Sequence, residues 1–184
     1  MYNQNSNNVK PIIYQLLPRL FGNYNETRKH NGTRAENGCG RFADITPKAL
    51  KSIADLGATH IWYTGVIRHA TAERNTAAIV KGLAGSPYAI TDYYDVDPDL
   101  ATDEPKRMQE FEALVARTHK AGLKVVIDFV PNHVAREYHS TCKPAGVRDL
   151  GEDDNPNWAF SPLNNFYYIP GEKFQPYFDI QGYN

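Results

Sequence analysis

The run Leu123-Lys-Val-Val-Ile-Asp-Phe-Val-Pro-Asn-His133 constrains the fold of this chain more than any other stretch. Val125, Val126 and Ile127 are β-branched, stiff at χ1 and suited to a pleated surface. A short continuous apolar run predicts a strand covered on both faces, the parallel-sheet case. Asp128, Asn132 and His133 arrive where that strand runs out. In α/β folds ligands bind at the C-terminal ends of the strands. These three polar residues are therefore placed for function.

Two further strands are predicted near 12–17 and 59–64, and the third over 123–129. Between the first two lies a punctuated helix, with Thr46 as N-cap, Pro47 at its first position and Gly57 as its stop. Ala49, Leu50, Ile53, Ala54 and Leu56 supply its apolar side. A second helix runs from about 103 to 121. Met108, Phe111, Leu114, Val115 and Thr118 form its inner stripe, and Gly122 ends it. Segment 22–40 reads as loop, and 66–99 as mostly irregular. The order strand, helix, strand, helix, strand gives two consecutive βαβ units, hence an α/β fold with a parallel sheet and right-handed crossovers. A doubly wound sheet and a barrel share that order. Beyond Val134 the helical periodicity is lost, and Pro, Asn, Asp and aromatics dominate.

A chain of 184 residues can bury a real core. Its formal net charge of -1 gives no electrostatic footprint for nucleic acid or an anionic membrane. No apolar run approaches the roughly 20 residues needed to cross a bilayer. The Asn-rich start lacks the basic-then-apolar layout of a signal peptide, which predicts a cytoplasmic protein. Cys39 and Cys142 form no CxxC pair, so free thiols are expected rather than a zinc site. The 12 Tyr, 8 Phe and 2 Trp allow two readings, ordinary amphipathic packing or a sugar-binding surface.

Asp128-Phe-Val-Pro-Asn132-His133 resembles the first signature of the alpha-amylase family of glycoside hydrolases, in which a third barrel strand ends in Asp and is followed by Asn-His. Other segments resemble the family in register. Ile12-Ile-Tyr-Gln-Leu-Leu-Pro-Arg19-Leu-Phe21 is similar to its first strand. Gly40-Arg-Phe-Ala-Asp-Ile45 is similar to the turn into its first helix, and Leu56-Gly-Ala-Thr-His-Ile-Trp62 to its second strand. His119-Lys-Ala-Gly122 is similar to the lead into the signature. Ser86-Pro-Tyr88 to Asp92-Tyr-Tyr94 sits where the family has Gly-Tyr-Asp and then Asp-Tyr. Pro87 and Ala89 depart from that pattern.

The resemblance implies the N-terminal portion of a (β/α)8 TIM barrel. Residues 1–10 would be a polar tail, 11–133 the first three βα units, and 134–184 the start of an irregular domain-B-like insertion after the third strand. Tyr88 would be a stacking platform for a sugar, or alternatively a core residue. His133 would donate from its ring to a sugar hydroxyl. Asp128 would organise the active-site base, or else fix loop backbone. Asn132 would be a ligand to a structural calcium, or a loop cap. The two carboxyls of a retaining glycosidase follow the family's fourth and fifth strands, so no catalytic residue is expected in this chain. Asp92, Asp95, Asp97 and Asp99 read instead as residues of turns and helix starts. The expected function is an N-terminal fragment of a retaining alpha-glucan hydrolase, inactive alone, with an alpha-glucan or maltooligosaccharide as partner. The alternatives are a non-catalytic barrel scaffold or carbohydrate-binding homologue, or a transglycosylase or isomerase. A nucleotide-binding α/β domain is disfavoured, because no Gly-rich phosphate loop follows any strand.

Overall fold

A computed structural model describes residues 10–75, 80 and 82–172. Residues 1–9 of the expected tail 1–10 and the end of the expected insertion, 173–184, lie outside the described residues. In chain order the elements are β1 (Ile13–Leu16), α1 (Arg34–Asn37), α2 (Pro47–Asp55), β2 (His60–Tyr63), β3 (Ile67–His69), β4 (Ile90–Val96), α3 (Arg107–Lys120) and β5 (Lys124–Ile127). The strands β1, β2 and β5 form one parallel sheet in that order. Leu16, Tyr63 and Ile127 lie in register across it. The residues that follow them therefore leave the sheet at one level, which is what brings the candidate site together.

The helix α2 forms as its caps dictate. Thr46 Oγ1 accepts from the Ala49 N–H at 3.2 Å, and Pro47 occupies the first turn. Leu50 and Ile53 turn inward. Leu56, read as part of the apolar side, is 74% exposed because it is the C-cap, past the last inward turn. The second helix starts later than its periodicity predicts. Residues 104–106 form a 3-10 turn around Pro105, and α3 proper begins at Arg107. Glu110 reaches back to accept from the Thr102 and Asp103 N–H groups, at 2.8 and 2.7 Å. Gly122, at φ +82, ends the helix in a left-handed conformation that a side chain would strain.

Phe42, Leu50, Ile61, Tyr63, Leu114 and Leu123 are essentially fully buried between the sheet and the helices. Burying each such side chain contributes about 1.5–3 kcal/mol. The Tyr63 hydroxyl lies 2.7 Å from Thr118 Oγ1, so its polar tip is satisfied inside the core. The Arg117 Nε–H donates to the Ile45 carbonyl at 2.8 Å and its guanidinium also reaches the Phe42 carbonyl, which pins α3 to the turn before α2.

Segment 66–99 is mostly irregular, as expected, but it also holds β3 and β4, an antiparallel pair with shifted register. Two expectations need correction. The loop 22–40 contains a short helix, α1, held by a reciprocal capping box between Thr33 and Glu36. And β5 is not covered on both faces. Val126 and Ile127, which point to opposite faces, are 37% and 43% exposed, and among the described residues β5 pairs with β2 alone.

Candidate functional site

The C-terminal ends of the three parallel strands are tied to one another by side chains. Asp128, directly after β5, accepts from the Trp62 indole N–H at 2.9 Å and from the Gly65 backbone N–H at 3.1 Å. One carboxylate thus locks the end of β5 to the end of β2. The Gln15 side-chain amide donates to Thr64 Oγ1 at 2.9 Å and links β1 to the same place. Gly65, at φ +75, is required there, since a Cβ would come within 2.9 Å of Pro87 Cβ. Pro87 therefore seats directly on the end of β2, and it carries Tyr88 with it. Tyr88 is 42% exposed, so it is not a core residue.

The loop after β5 is held just as definitely. The Tyr93 hydroxyl, from β4, donates to the Val130 carbonyl and lies 3.4 Å from the His133 carbonyl. Beyond it, the Ala135 N–H donates to the Ile90 carbonyl at 2.8 Å, and the His139 N–H to the Thr91 carbonyl at 2.9 Å. Tyr88 and His133 each stand two residues before that Ile90–Ala135 contact. His133 and Asn132 are both exposed, and His133 Nδ1 lies 3.0 Å from Asn132 Oδ1. With Asn132 accepting, Nδ1 bears the hydrogen. Nε2 is then an acceptor in the neutral ring and a donor when the ring is protonated. The Asn132 oxygen that a calcium ion would use is turned to the His133 ring, and calcium takes six to eight oxygens. Asn132 supplies one such oxygen at most.

The aspartates of 92–99 are buried, and they serve more than turns and helix starts. Asp97 does accept from the Asp99 N–H at 3.0 Å, as a turn residue would. But Asp99 pairs with Arg19 at 3.1 Å, Arg34 at 2.9 Å and Arg74 at 2.5 Å. Asp95 pairs with Arg68 at 2.9 Å and Arg107 at 2.7 Å, and Asp97 with Arg74 at 2.6 Å. Asp92 accepts from the Tyr94, Thr141 and Cys142 N–H groups, at 2.8, 2.8 and 3.2 Å. Sequence reading missed this clasp. Its one signal is that a buried carboxylate needs a cation, and sequence does not say which arginine arrives.

Burial alone would raise the Asp99 carboxyl, but Arg74, Arg19 and Arg34 outweigh it and hold it below the ordinary value. At Asp95 burial is likewise outweighed by Arg107 and Arg68. Both groups therefore stay ionised and neither is poised to give a proton near neutrality. A depressed folded value means that the stabilisation is fully present above the unfolded value, about 3.9. It is lost as pH falls through the lower folded values. This contribution to stability should thus be constant from pH 7 to about 5 and be lost below about pH 4, as an acid limb in the melting temperature. An acid limb unchanged in a protein carrying both Asp95→Asn and Asp99→Asn would contradict that origin.

A parallel sheet with exposed polar and aromatic side chains at its strand ends defines an α/β protein, the class in which ligands bind at strand C-termini. Residues 15–167 match the alpha-amylase catalytic domain, and the chain belongs to the alpha-amylase family. It is 30% identical to Maltase 1 of Drosophila virilis over 147 residues, 80% of this chain and 19% of that protein. It is also 30% identical to the amino acid transporter heavy chain SLC3A1 of Homo sapiens over 126 residues, 68% of this chain and 14% of that one. The crystal structure of an alpha-amylase from Lactobacillus plantarum superposes with a TM-score of 0.50 at 31% identity, covering 71% of this chain and 24% of that one. The chain thus spans between 14% and 25% of the length of the curated relatives it matches.

Proposed function

We propose that residues 11–133 are the first three βα units of the (β/α)8 catalytic barrel of a retaining alpha-glucan glycoside hydrolase, and that 134–184 begin an inserted domain. Tyr88 and His133 form one wall of its sugar pocket, Tyr88 by its ring face and His133 by a hydrogen bond to a hydroxyl. Asp128 holds the strand ends beneath them. The observation that carries this reading is the convergence at one sheet end. Asp128 binds Gly65, Gly65 receives Pro87, and Tyr88 follows; on the other side Ala135 pairs with Ile90, two residues after each of the proposed sugar contacts. The open edge of β5 fits a barrel continued by a further strand.

In the full-length enzyme His133→Ala should lower kcat/KM on maltotriose. The lost hydrogen bond is worth about 0.5–1.5 kcal/mol if neutral, and more if charged. Tyr88→Ala should cost at least as much, and Tyr88→Phe should be tolerated, because the ring and not the hydroxyl binds. Equal kcat/KM in all three variants would overturn the sugar-pocket reading.

A retaining glycosidase needs two carboxyls about 5–5.5 Å apart, one as nucleophile and one as acid/base. Asp128 is occupied by Trp62 and Gly65, and Asp95 and Asp99 by arginines. Residues 1–184 alone should therefore show no turnover of maltooligosaccharides. Release of glucose by the purified chain would disprove it. The second reading is a non-catalytic member, favoured by one observation: a transporter heavy chain matches at the same identity as a maltase. Absence of turnover in the full-length protein, with maltotriose binding retained, would select that reading.

A further inference from the structure

We propose that Tyr93 is a positioning residue, whose hydroxyl sets the place of His133. Tyr93 belongs to β4, outside the strand-end motif that carries Asp128, Asn132 and His133. Its hydroxyl is aimed at both ends of the short turn bearing the exposed Asn132–His133 pair, donating to the Val130 carbonyl with the His133 carbonyl 3.4 Å away. Val130 is buried, so its end of the turn is fixed. Asn132 and His133 are exposed, and the bond between them at 3.0 Å is local to the pair. The tyrosine hydroxyl is therefore a long-range side-chain bond, from 37 and 40 residues away in sequence, that holds the turn to β4.

The other side of the ring faces a different element. The Tyr93 and Tyr138 rings lie 5.8 Å apart, tilted by 44°. The Tyr138 hydroxyl lies 2.8 Å from Ser140 Oγ, and the Ser140 N–H donates to Asp149 at 2.7 Å. Asp92, next to Tyr93, takes the Thr141 and Cys142 N–H groups. Tyr93 thus adjoins the 138–149 segment by its ring and the His133 turn by its hydroxyl. Burial raises the Tyr93 hydroxyl above its ordinary value, so it keeps its hydrogen through the neutral range and acts as a fixed donor.

The functional consequence rests on the sugar-pocket reading, while the positioning itself does not, and the test separates them. Tyr93→Phe keeps the ring pair and removes only the donor. In the intact protein, hydrogen exchange of the peptide spanning 129–134 should rise about tenfold or more. The 13C-labelled ring signal of His133 should shift and broaden. The kcat/KM on maltotriose should fall about threefold to tenfold, the range of one lost neutral hydrogen bond. Tyr138→Phe, which removes the hydroxyl that meets Ser140 and Asp149 but keeps the ring against Tyr93, should leave the His133 signal in place. An unchanged exchange rate and an unchanged His133 signal in Tyr93→Phe overturn the proposal. Both changes without any effect on maltotriose support the positioning and sink the sugar-pocket reading. Should Tyr93→Phe fail to fold, the unaltered protein decides, through nuclear Overhauser contacts from the Tyr93 ring to residues 130–133. Their presence supports the proposal and their absence overturns it.

Discussion

Asp99→Ala should be the most damaging single substitution in the 92–99 segment, lowering stability by about 3–5 kcal/mol. Asp99 is buried, and three arginines from separate parts of the chain converge on it. Arg19 follows β1, Arg34 opens α1, and Arg74 lies between β3 and β4. Removing the carboxylate takes the counter-charge from Arg19 and leaves Arg74 to Asp97 and Arg34 to Glu73, with the three guanidinium groups still close together. Breaking a buried pair in that way costs more than the pair itself contributes. A typical domain has only about 5–15 kcal/mol in total, so a large share of its stability is at stake. Asp99→Asn should cost less, because its amide oxygen still accepts one hydrogen bond. Urea unfolding of the two variants gives the check, and equal midpoints for Asp99→Ala and the unaltered protein would refute the clasp. A surface pair provides the contrast. Lys51→Ala, which breaks the exposed bond to Asp55 at 2.8 Å, should change stability by no more than about 0.5 kcal/mol.

The parallel sheet was legible because its determinants are local. Thr46, Pro47 and Gly122 announce helix ends by backbone chemistry, and the β-branched run at 125–127 announces a strand. All of them act within a few residues of where they stand. The Asp128 expectation was legible for the same reason, since a carboxylate at a strand end must find donors. Its partners were not legible. Trp62 and Gly65 are 66 and 63 residues away, and only the register of β2 against β5 brings them there. The β3–β4 hairpin was missed because its alternation is unlike an ordinary half-buried strand. Asp92 and Asp95 point into protein, where a hydrophobic pattern expects apolar residues. Their burial is made tolerable by backbone N–H groups and by arginines that sequence does not align. The coverage of β5 was misread because an apolar run is equally consistent with a central strand and with an edge strand left open on one side.

Asp128→Ala should have the largest effect on the candidate site. The substitution removes both acceptors at once, leaving the Trp62 indole N–H and the Gly65 N–H without partners in a half-buried place. Each unsatisfied donor costs about 1–3 kcal/mol where water cannot replace the lost bond. Two such donors give a loss of about 2–5 kcal/mol, reduced by whatever water enters. The functional effect should exceed the stability effect in kind. Gly65 is the seat of Pro87, so a loosened Gly65 loosens Tyr88, while the freed end of β5 loosens the turn that carries His133. Both proposed sugar contacts would then lose their mutual placement, and misplacement of this sort costs about a hundredfold in catalysis. Asp128→Asn separates the two consequences. Its amide keeps one acceptor oxygen and turns the other into a donor, so one of the two bonds survives and the other meets an N–H head-on. Stability should fall by less than in Asp128→Ala, while kcat/KM on maltotriose in the proposed hydrolase should still drop by at least about tenfold. Asp128→Asn with undiminished kcat/KM would show that the carboxylate ties the sheet ends together without governing the pocket above them.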